Sequence, residues 1–238
     1  MSDTITAPAT APGRAAVAII RVSGPLAGDV LARLFRPRAA GPVRPWRLQL
    51  GWLANERGEV LDQCLAVFMP APRSYTGEDL CEFHLHGSPP LVSSTLKLIC
   101  ACGARLAEPG EFTRRAWLAG KLDLTQAEAV CELVNASTEE AARLAAEVFS
   151  SGALKGQIER LRDFLADLLA EAEAAIDFSE EEIETASCRE TAAAIRGGPL
   201  ALTDELLAAC RDATPYREGA TVVICGRPNV GKSTLLNA

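Results

Sequence analysis

AAVAIIRVSGPLAGDVLARLF, residues 15–35, is the stretch on which the fold turns. Residues 15–22 are apolar and β-branched, the composition of a buried strand, and Ser23-Gly24-Pro25 supplies a turn to end it. Leu26, Val30, Leu31 and Leu34 then recur at helical spacing, which predicts a helix over 26–35. Strand, turn and helix in direct succession point to helices layered on a sheet. After a Pro/Gly/Arg-rich connection, alternation returns at Arg47–Leu53 and in CLAVFM, beyond the polar stretch Glu59–Asp62. LCEFHLH, residues 80–86, alternates as a strand should, and Leu91–Cys102 reads as a helix. Residues 1–120 therefore form a mixed α/β domain within an α+β chain.

From Thr125 to about Ala213 strand signals are nearly absent, which predicts a helical domain over 121–215. Ser137-Thr138-Glu139-Glu140 reads as a capping box, serine and glutamate satisfying each other's backbone N–H groups. Leu154, Ile158, Leu161, Leu165, Leu168 and Ala172 form one apolar seam at four-three spacing, expected to be core. Gly197-Gly198-Pro199 is expected to break the pattern before another helix at 200–212. Residues 220–225, ATVVIC, read as a short buried strand that opens a third segment, 216–238.

Hydrophobic residues make up 48% and charged residues 23%, an ordinary globular composition. No apolar run approaches the roughly 18 residues of a membrane helix. Asp3, the lack of a basic lead-in and the shortness of Ala15–Ile20 argue against a secretory signal, so the expected compartment is the cytoplasm. There the eight cysteines read as small core hydrophobes rather than as a disulfide framework. The net charge of −7 is uneven, +3 over residues 1–125 (14 basic, 11 acidic) and −10 over 126–238 (10 basic, 20 acidic). Any RNA contact therefore falls to the first half, where Arg33, Arg36, Arg38, Arg44 and Arg47 cluster. A solvated loop face is the plainer reading of that cluster.

Gly226-Arg227-Pro228-Asn229-Val230-Gly231-Lys232-Ser233 satisfies the phosphate-loop pattern G-x-x-x-x-G-K-[ST]. Glycines let the backbone curl until successive N–H groups face a phosphate. Lys232 adds a positive charge and Ser233 a hydroxyl for Mg²⁺. The Asp-x-x-Gly and Asn-Lys-x-Asp segments of a GTPase do not occur in these residues, so no catalytic residue is assigned here.

GRPNVGKSTLLNA resembles the TrmE-like branch of GTPases. DTITAPATAPGRAAVAIIRVSG (3–24), SYTGEDLCEFHLHG (74–87) and EPGEFTRRAWLAGKLDLTQAEAVCELVNASTEEAARLA (108–145) extend the likeness to the MnmE (TrmE) family over essentially the whole chain. The resemblance implies an N-terminal domain similar to tetrahydrofolate-binding modules, which forms a homodimer, then a helical domain and the start of an inserted GTPase domain. It implies tRNA as substrate, with a carboxymethylaminomethyl-type group installed at the wobble uridine, and the FAD-dependent MnmG as partner. The implied cofactors are 5-formyltetrahydrofolate, GTP, Mg²⁺ and K⁺.

By matched motif, the folate would meet Arg21, Glu82 and Lys121. GTP would meet Asn229, Val230, Gly231, Lys232, Ser233 and Thr234, with Asn229 on K⁺ and Ser233 on Mg²⁺. Two departures stand out, Ser88 in His-Gly-Ser-Pro and Ala15-Ala16 after Gly13-Arg14, where the family commonly has glycines. Side chains there disfavour positive φ, so a changed folate pocket is expected. Zinc at Cys81, His84, His86, Cys100 and Cys102 is disfavoured, since strand alternation turns Cys81 away from the histidines. The alternative to a tRNA-modifying GTPase is a truncated, non-enzymatic folate-binding dimerisation module.

Overall fold

The computed structural model describes residues 3–177, 188–218, 223–227 and 230–236. They fall into two compact units, residues 1–127 and 128–238.

In the first unit, strands β1 (Ile5–Pro8), β2 (Ala15–Ser23), β3 (Phe35–Pro37), β4 (Gln49–Ala54), β5 (Val60–Met69), β6 (Leu80–Gly87) and β7 (Arg105–Leu106) form one sheet in the order β3-β4-β5-β6-β2-β1-β7. Neighbours are antiparallel except β1 and β7, which run parallel. Helices α1 (Ala27–Leu34) and α2 (Pro89–Ala101) supply the second layer, and α3 (Glu111–Leu118) follows β7. Alternation sends Ile20 and Val22 of β2, Cys64 and Ala66 of β5, and Phe83 and Leu85 of β6 into one core with Val30, Leu31 and Leu34 of α1 and Ile99 of α2. Every second residue of those strands therefore lies on the other face of the sheet.

The strand–turn–helix of residues 15–35 forms as expected, as do the later strands and α2. β5 starts at Val60, inside the polar stretch 59–62, because Val60 and Asp62 pair with Ala54 and Leu53 of β4. The short strands β1, β3 and β7 carry no alternation long enough to read; they exist through pairing with neighbours. Gly51 shows how: a Cβ there would stand 2.4 Å from the Arg36 carbonyl oxygen, so only glycine admits β3 alongside β4.

The second unit is helical. Helix α4 (Leu124–Asn135) crosses the boundary and is followed by α5 (Glu139–Ser151), α6 (Ala153–Asp177), α7 (Cys188–Ile195), α8 (Ala201–Glu218) and the short α9 (Lys232–Leu236). Four expectations are corrected here. The N-cap of α5 is Thr138, not Ser137: Thr138 has extended backbone and its hydroxyl accepts from the Ala141 N–H at 3.1 Å. Gly197-Gly198-Pro199 does not break the helix. Residues Arg196–Leu200 make a π-helical turn that joins α7 to α8 and accommodates Pro199, which has no N–H to donate, while Gly198 leaves room for the Phe164 ring. The α6 seam is not core, since Ile158 is 46% and Leu165 45% exposed and no described side chain of that helix is buried. Val223–Gly226 form no strand and Val223 is 73% exposed; residues 220–222 lie outside the described set.

The cysteines divide. Cys64 and Cys81 are buried, Cys100 and Cys102 partly so, but Cys131, Cys188, Cys210 and Cys225 are exposed, because the helical unit offers few buried positions. Burial pushes the Cys64 thiol up to about 12, with the Asp62 charge adding to it, so this thiol stays protonated at neutral pH.

Candidate functional site

The β2–β6 register sets Arg21 directly opposite Glu82, on the sheet face away from the core. Arg21 Nε donates to Glu82 Oε1 at 2.8 Å, and Nη2 lies 2.8 Å from the same oxygen. His84, two residues along β6, places Nε2 3.2 Å from Glu82 Oε2. The hydrogen bond to His84, together with the Arg21 charge, holds the Glu82 carboxyl below the usual carboxylate range. Glu82 is thus an ionised acceptor at neutral pH. Two rings flank the guanidinium, with the Tyr75 and Phe112 centroids 5.4 and 5.8 Å from Arg21 Cζ.

Neither ring is on the sheet, and a polar network holds both in place. Tyr75 Oη and Thr113 Oγ1 are 3.0 Å apart, which links the 74–79 loop to α3. Ser23 Oγ lies 2.7 Å from Thr76 Oγ1 and donates to Glu78 Oε2 at 2.8 Å. Arg115 of α3 reaches Glu78 (3.1 Å), Glu111 (2.9 Å) and Asp3 (2.6 Å), and Arg105 reaches Glu111 at 2.6 Å. Hydrogen bonds from Arg105 lead in drawing the buried Glu111 carboxyl down to about 2, aided by the Glu108 N–H and Arg115. The end of β2, the loop and α3 are in this way locked around Arg21.

Lys121 follows α3, its N–H donating to the Ala116 carbonyl at 2.9 Å. Its stem lies along Gly77, where a Cβ would come 3.6 Å from Lys121 Cε and 2.9 Å from Ala119 Cβ. Gly77 has φ +78°, so both space and conformation demand glycine there. Lys121 thus packs on the loop that carries Tyr75, and among the described residues it makes no ion pair with Glu82. Among the described residues no carboxylate pairs with its exposed side chain. Of the three expected residues, the structure brings Arg21 and Glu82 into contact and places Lys121 along Gly77 of the 74–79 loop. The rings of Tyr75 and Phe112 escaped the residue-by-residue reading; only their place within the quoted motifs marked them.

The departures from glycine prove conformationally neutral. Ala15 and Ala16 lie in β2, and Ser88 is the extended N-cap of α2 (φ −104°) ahead of Pro89. Neither position calls for positive φ, so the expected backbone cause of a changed pocket is absent. Cys81 turns to the core side, where its thiol donates to the Ala27 carbonyl. His86 is held by Asp62 through its own N–H (2.9 Å) and Nδ1 (2.7 Å).

In the second unit, Gly231 has φ +87° and Lys232 opens α9. Lys232 Nζ curls back over the loop to the carbonyls of Gly226 (3.0 Å) and Arg227 (2.7 Å). Val230, Ser233 and Thr234 are exposed, and Asn229 lies outside the described residues. Two cavities, about 420 and 340 Å³, open elsewhere, the first beside Arg38 and Gln49 and the second between α1 and the 41–43 loop.

Three family models match the chain in succession. GTP-binding protein TrmE N-terminus covers residues 4–121, MnmE helical domain covers 124–223, and 50S ribosome-binding GTPase covers 221–238. Curated relatives bear the name tRNA modification GTPase MnmE. The one from Roseiflexus sp. (strain RS-1) is 42% identical over 99% of this chain and 50% of its own length. That from Symbiobacterium thermophilum is 44% identical over 99% and 52%, and that from Aquifex aeolicus 43% over 100% and 52%. The chain spans about half the length of the curated relatives it matches. No helix among the described residues is long and apolar enough to cross a membrane.

Proposed function

This chain belongs to the TrmE (MnmE) family, and on that footing we propose that it is part of a tRNA-modifying GTPase whose first unit binds a folate and whose phosphate loop binds GTP. The observation that carries this reading is the run of matched segments, in one order from residue 4 to residue 238. In the whole protein, GTP hydrolysis powers a cycle in which 5-formyltetrahydrofolate supplies the one-carbon unit. With MnmG as partner, a carboxymethylaminomethyl-type group is built at the wobble uridine of tRNA. The compartment is the cytoplasm and the active form a homodimer joined through the first unit, where Val17, Val60 and Leu61 are among the exposed apolar side chains.

The residues suit their ligands. Glu82, ionised and acceptor-only, matches the N–H donor edge of a pterin, while Tyr75 and Phe112 offer flat apolar surface beside Arg21. Lys121, free of any carboxylate among the described residues, suits the anionic tail. At the phosphate loop Lys232 is already drawn over the turn that would cradle the phosphates, and Ser233 stands next to it with an exposed hydroxyl for Mg²⁺. Mg²⁺ there would neutralise phosphate charge, and K⁺, assigned to Asn229, would add to that effect.

The test is GTP turnover by the full-length protein in potassium against sodium, together with calorimetry of 5-formyltetrahydrofolate. We expect potassium-stimulated hydrolysis, and about tenfold weaker folate binding by Lys121→Ala. Absence of turnover would count against the GTPase reading, turnover indifferent to potassium would remove the K⁺ assignment, and equal folate affinity would remove Lys121 from the site. The second reading, a non-enzymatic folate-binding dimer, draws on the folate cluster lying wholly within the first unit. It predicts folate binding with no hydrolysis.

A further inference from the structure

The segment from Arg33 to Arg57 holds six arginines and one carboxylate, Glu56, within a chain whose net charge is −7. In the fold, Arg36 and Arg38 line one edge of the sheet, and Arg44 and Arg47 lie on the connection from that edge into β4. β3 is the edge strand, and its register puts Arg36 opposite Trp52 of β4. Arg38 continues that ladder, its N–H donating to the Leu50 carbonyl at 2.9 Å. Arg36, Arg38, Leu50 and Trp52 therefore share the sheet face turned away from the core. The loop that follows leads back into β4, Arg47 N–H donating to the Arg44 carbonyl, Gln49 Nε2 approaching that carbonyl at 3.5 Å, and Trp46 N–H reaching the Phe68 carbonyl of β5.

Three features set this edge apart from an ordinary solvated face. First, Arg36, Arg38, Arg44 and Arg47 are all exposed, and among the described residues none has a carboxylate partner, whereas Arg105, Arg115, Arg143 and Arg162 all do. Unpaired guanidiniums keep their full donor forks for an incoming anion. Second, two indoles of the same segment stand in water, Trp46 at 47% exposure beside Arg47 in the chain and Trp52 at 39% across the strand pair from Arg36. Trp46 is the one non-glycine residue of positive φ (61°) among those described, and its N–H is pinned to the Phe68 carbonyl at 2.8 Å. An aromatic residue held in the left-handed region costs energy, and strain of this kind gathers at binding sites. Third, the 420 Å³ hollow beside Arg38 has an apolar lining from Pro37, Ala39 and Leu50 and polar groups from Arg38 and Gln49.

We propose that this edge is an RNA-docking surface. Arg36, Arg38, Arg44 and Arg47 take backbone phosphates, Trp46 and Trp52 stack unpaired bases, and the hollow beside Arg38 receives a splayed-out base. Phosphates need free positive charge and unpaired bases need flat aromatic faces, and the edge supplies both side by side. An acidic protein would use the arginines but has no use for the exposed indoles, which makes RNA the better match. The RNA is of the class named in the proposed function, and the inference rests on that reading for its identity alone.

The experiment titrates a fluorescent, unmodified tRNA transcript with full-length protein across a salt series. It compares the parent with the quadruple variant R36A/R38A/R44A/R47A and with Trp46→Ala. The quadruple variant is expected to lose at least tenfold in affinity near 0.1 M salt. Its slope of log K against log salt should shrink by about three, since each lost phosphate contact removes roughly 0.7–0.9. Trp46→Ala should weaken binding about tenfold with the slope unchanged, because stacking releases no counterions. Unaltered folate affinity in both variants certifies that the first unit is folded. Parent-like RNA binding by the quadruple variant overturns this proposal alone. A parent that binds no transcript sinks the tRNA reading as well.

Discussion

In the first unit several ion pairs join residues distant in the chain, Arg21 to Glu82, Arg115 to Glu78, and Arg105 and Arg115 to Asp3, beside the local pair of Arg115 with Glu111. In the second, the pairs seen among the described residues include neighbours on one helix, Arg143 with Glu140 and Glu147, Lys155 with Glu159 and Arg162 with Asp163. Burial follows the same division. Phe83, Ile20, Leu34, Leu53 and Ile99 are wholly buried in the first unit. In the second, the buried hydrophobics among the described residues are Ala129, Ala141 and Ala145, with Pro199 in the π-helical turn. A sheet crossed by long-range pairs can hold Arg21, Glu82, Tyr75 and Phe112 in fixed relation. Helices stabilised along their own length hold themselves in shape but fix few side chains against one another.

The largest effect expected from this contrast is on Phe83. Phe83→Ala should cost about 3–5 kcal/mol, because it opens a cavity in the middle of the core. Leu165→Ala, on the half-exposed seam of α6, should cost well under half of that. Urea denaturation of the two variants measures both, and equal losses would erase the distinction between the units.

Next comes Glu111. Its carboxyl is drawn down to about 2 in the fold, so the stability it contributes is fully present above its ordinary value of 4.5 and is lost as pH falls from there towards 2. Glu111→Gln should lower stability at pH 7 by about 2 kcal/mol, through weakened hydrogen bonds to Arg105 and Arg115. It should also flatten the acid limb of the stability curve. Denaturation midpoints from pH 7 to pH 3 test this, and an unchanged acid limb in the variant would assign acid lability elsewhere.

Smallest is the cap of α5. Thr138→Ala should remove about 1 kcal/mol and Ser137→Ala almost nothing, because only the Thr138 hydroxyl meets the Ala141 N–H. Thermal melts followed by helical circular dichroism distinguish the two. The reverse order would restore the capping box at Ser137.

Much of the fold was legible because the signals were local. Seven apolar residues among the eight before Ser23-Gly24-Pro25 make a strand whatever lies beside them, and LCEFHLH alternates without reference to its neighbours. The π-helical turn at Arg196–Leu200 was not legible, since Gly-Gly-Pro reads locally as a stop and the Phe164 ring that packs on Gly198 lies more than thirty residues away. The candidate site divides along the same line. Arg21, Glu82 and Lys121 stood out as charged residues in recognisable motifs, whereas the rings around Arg21 depend on how α3 and the 74–79 loop dock.

Read alone, the chain of residues settled the family, the mixed α/β first domain, the helical second domain and the presence of a phosphate loop. Each of these is written in spacing, composition or motif, properties that do not change when the chain folds. Only the tertiary structure decided that Arg21 faces Glu82, that Lys121 lies along Gly77 and that the arginines of the β3–β4 edge go without carboxylate partners among the described residues. Those facts depend on strand register and on side chains brought together from distant positions. Hydrophobic burial selects that register for the core face, and the polar face takes whatever partners result.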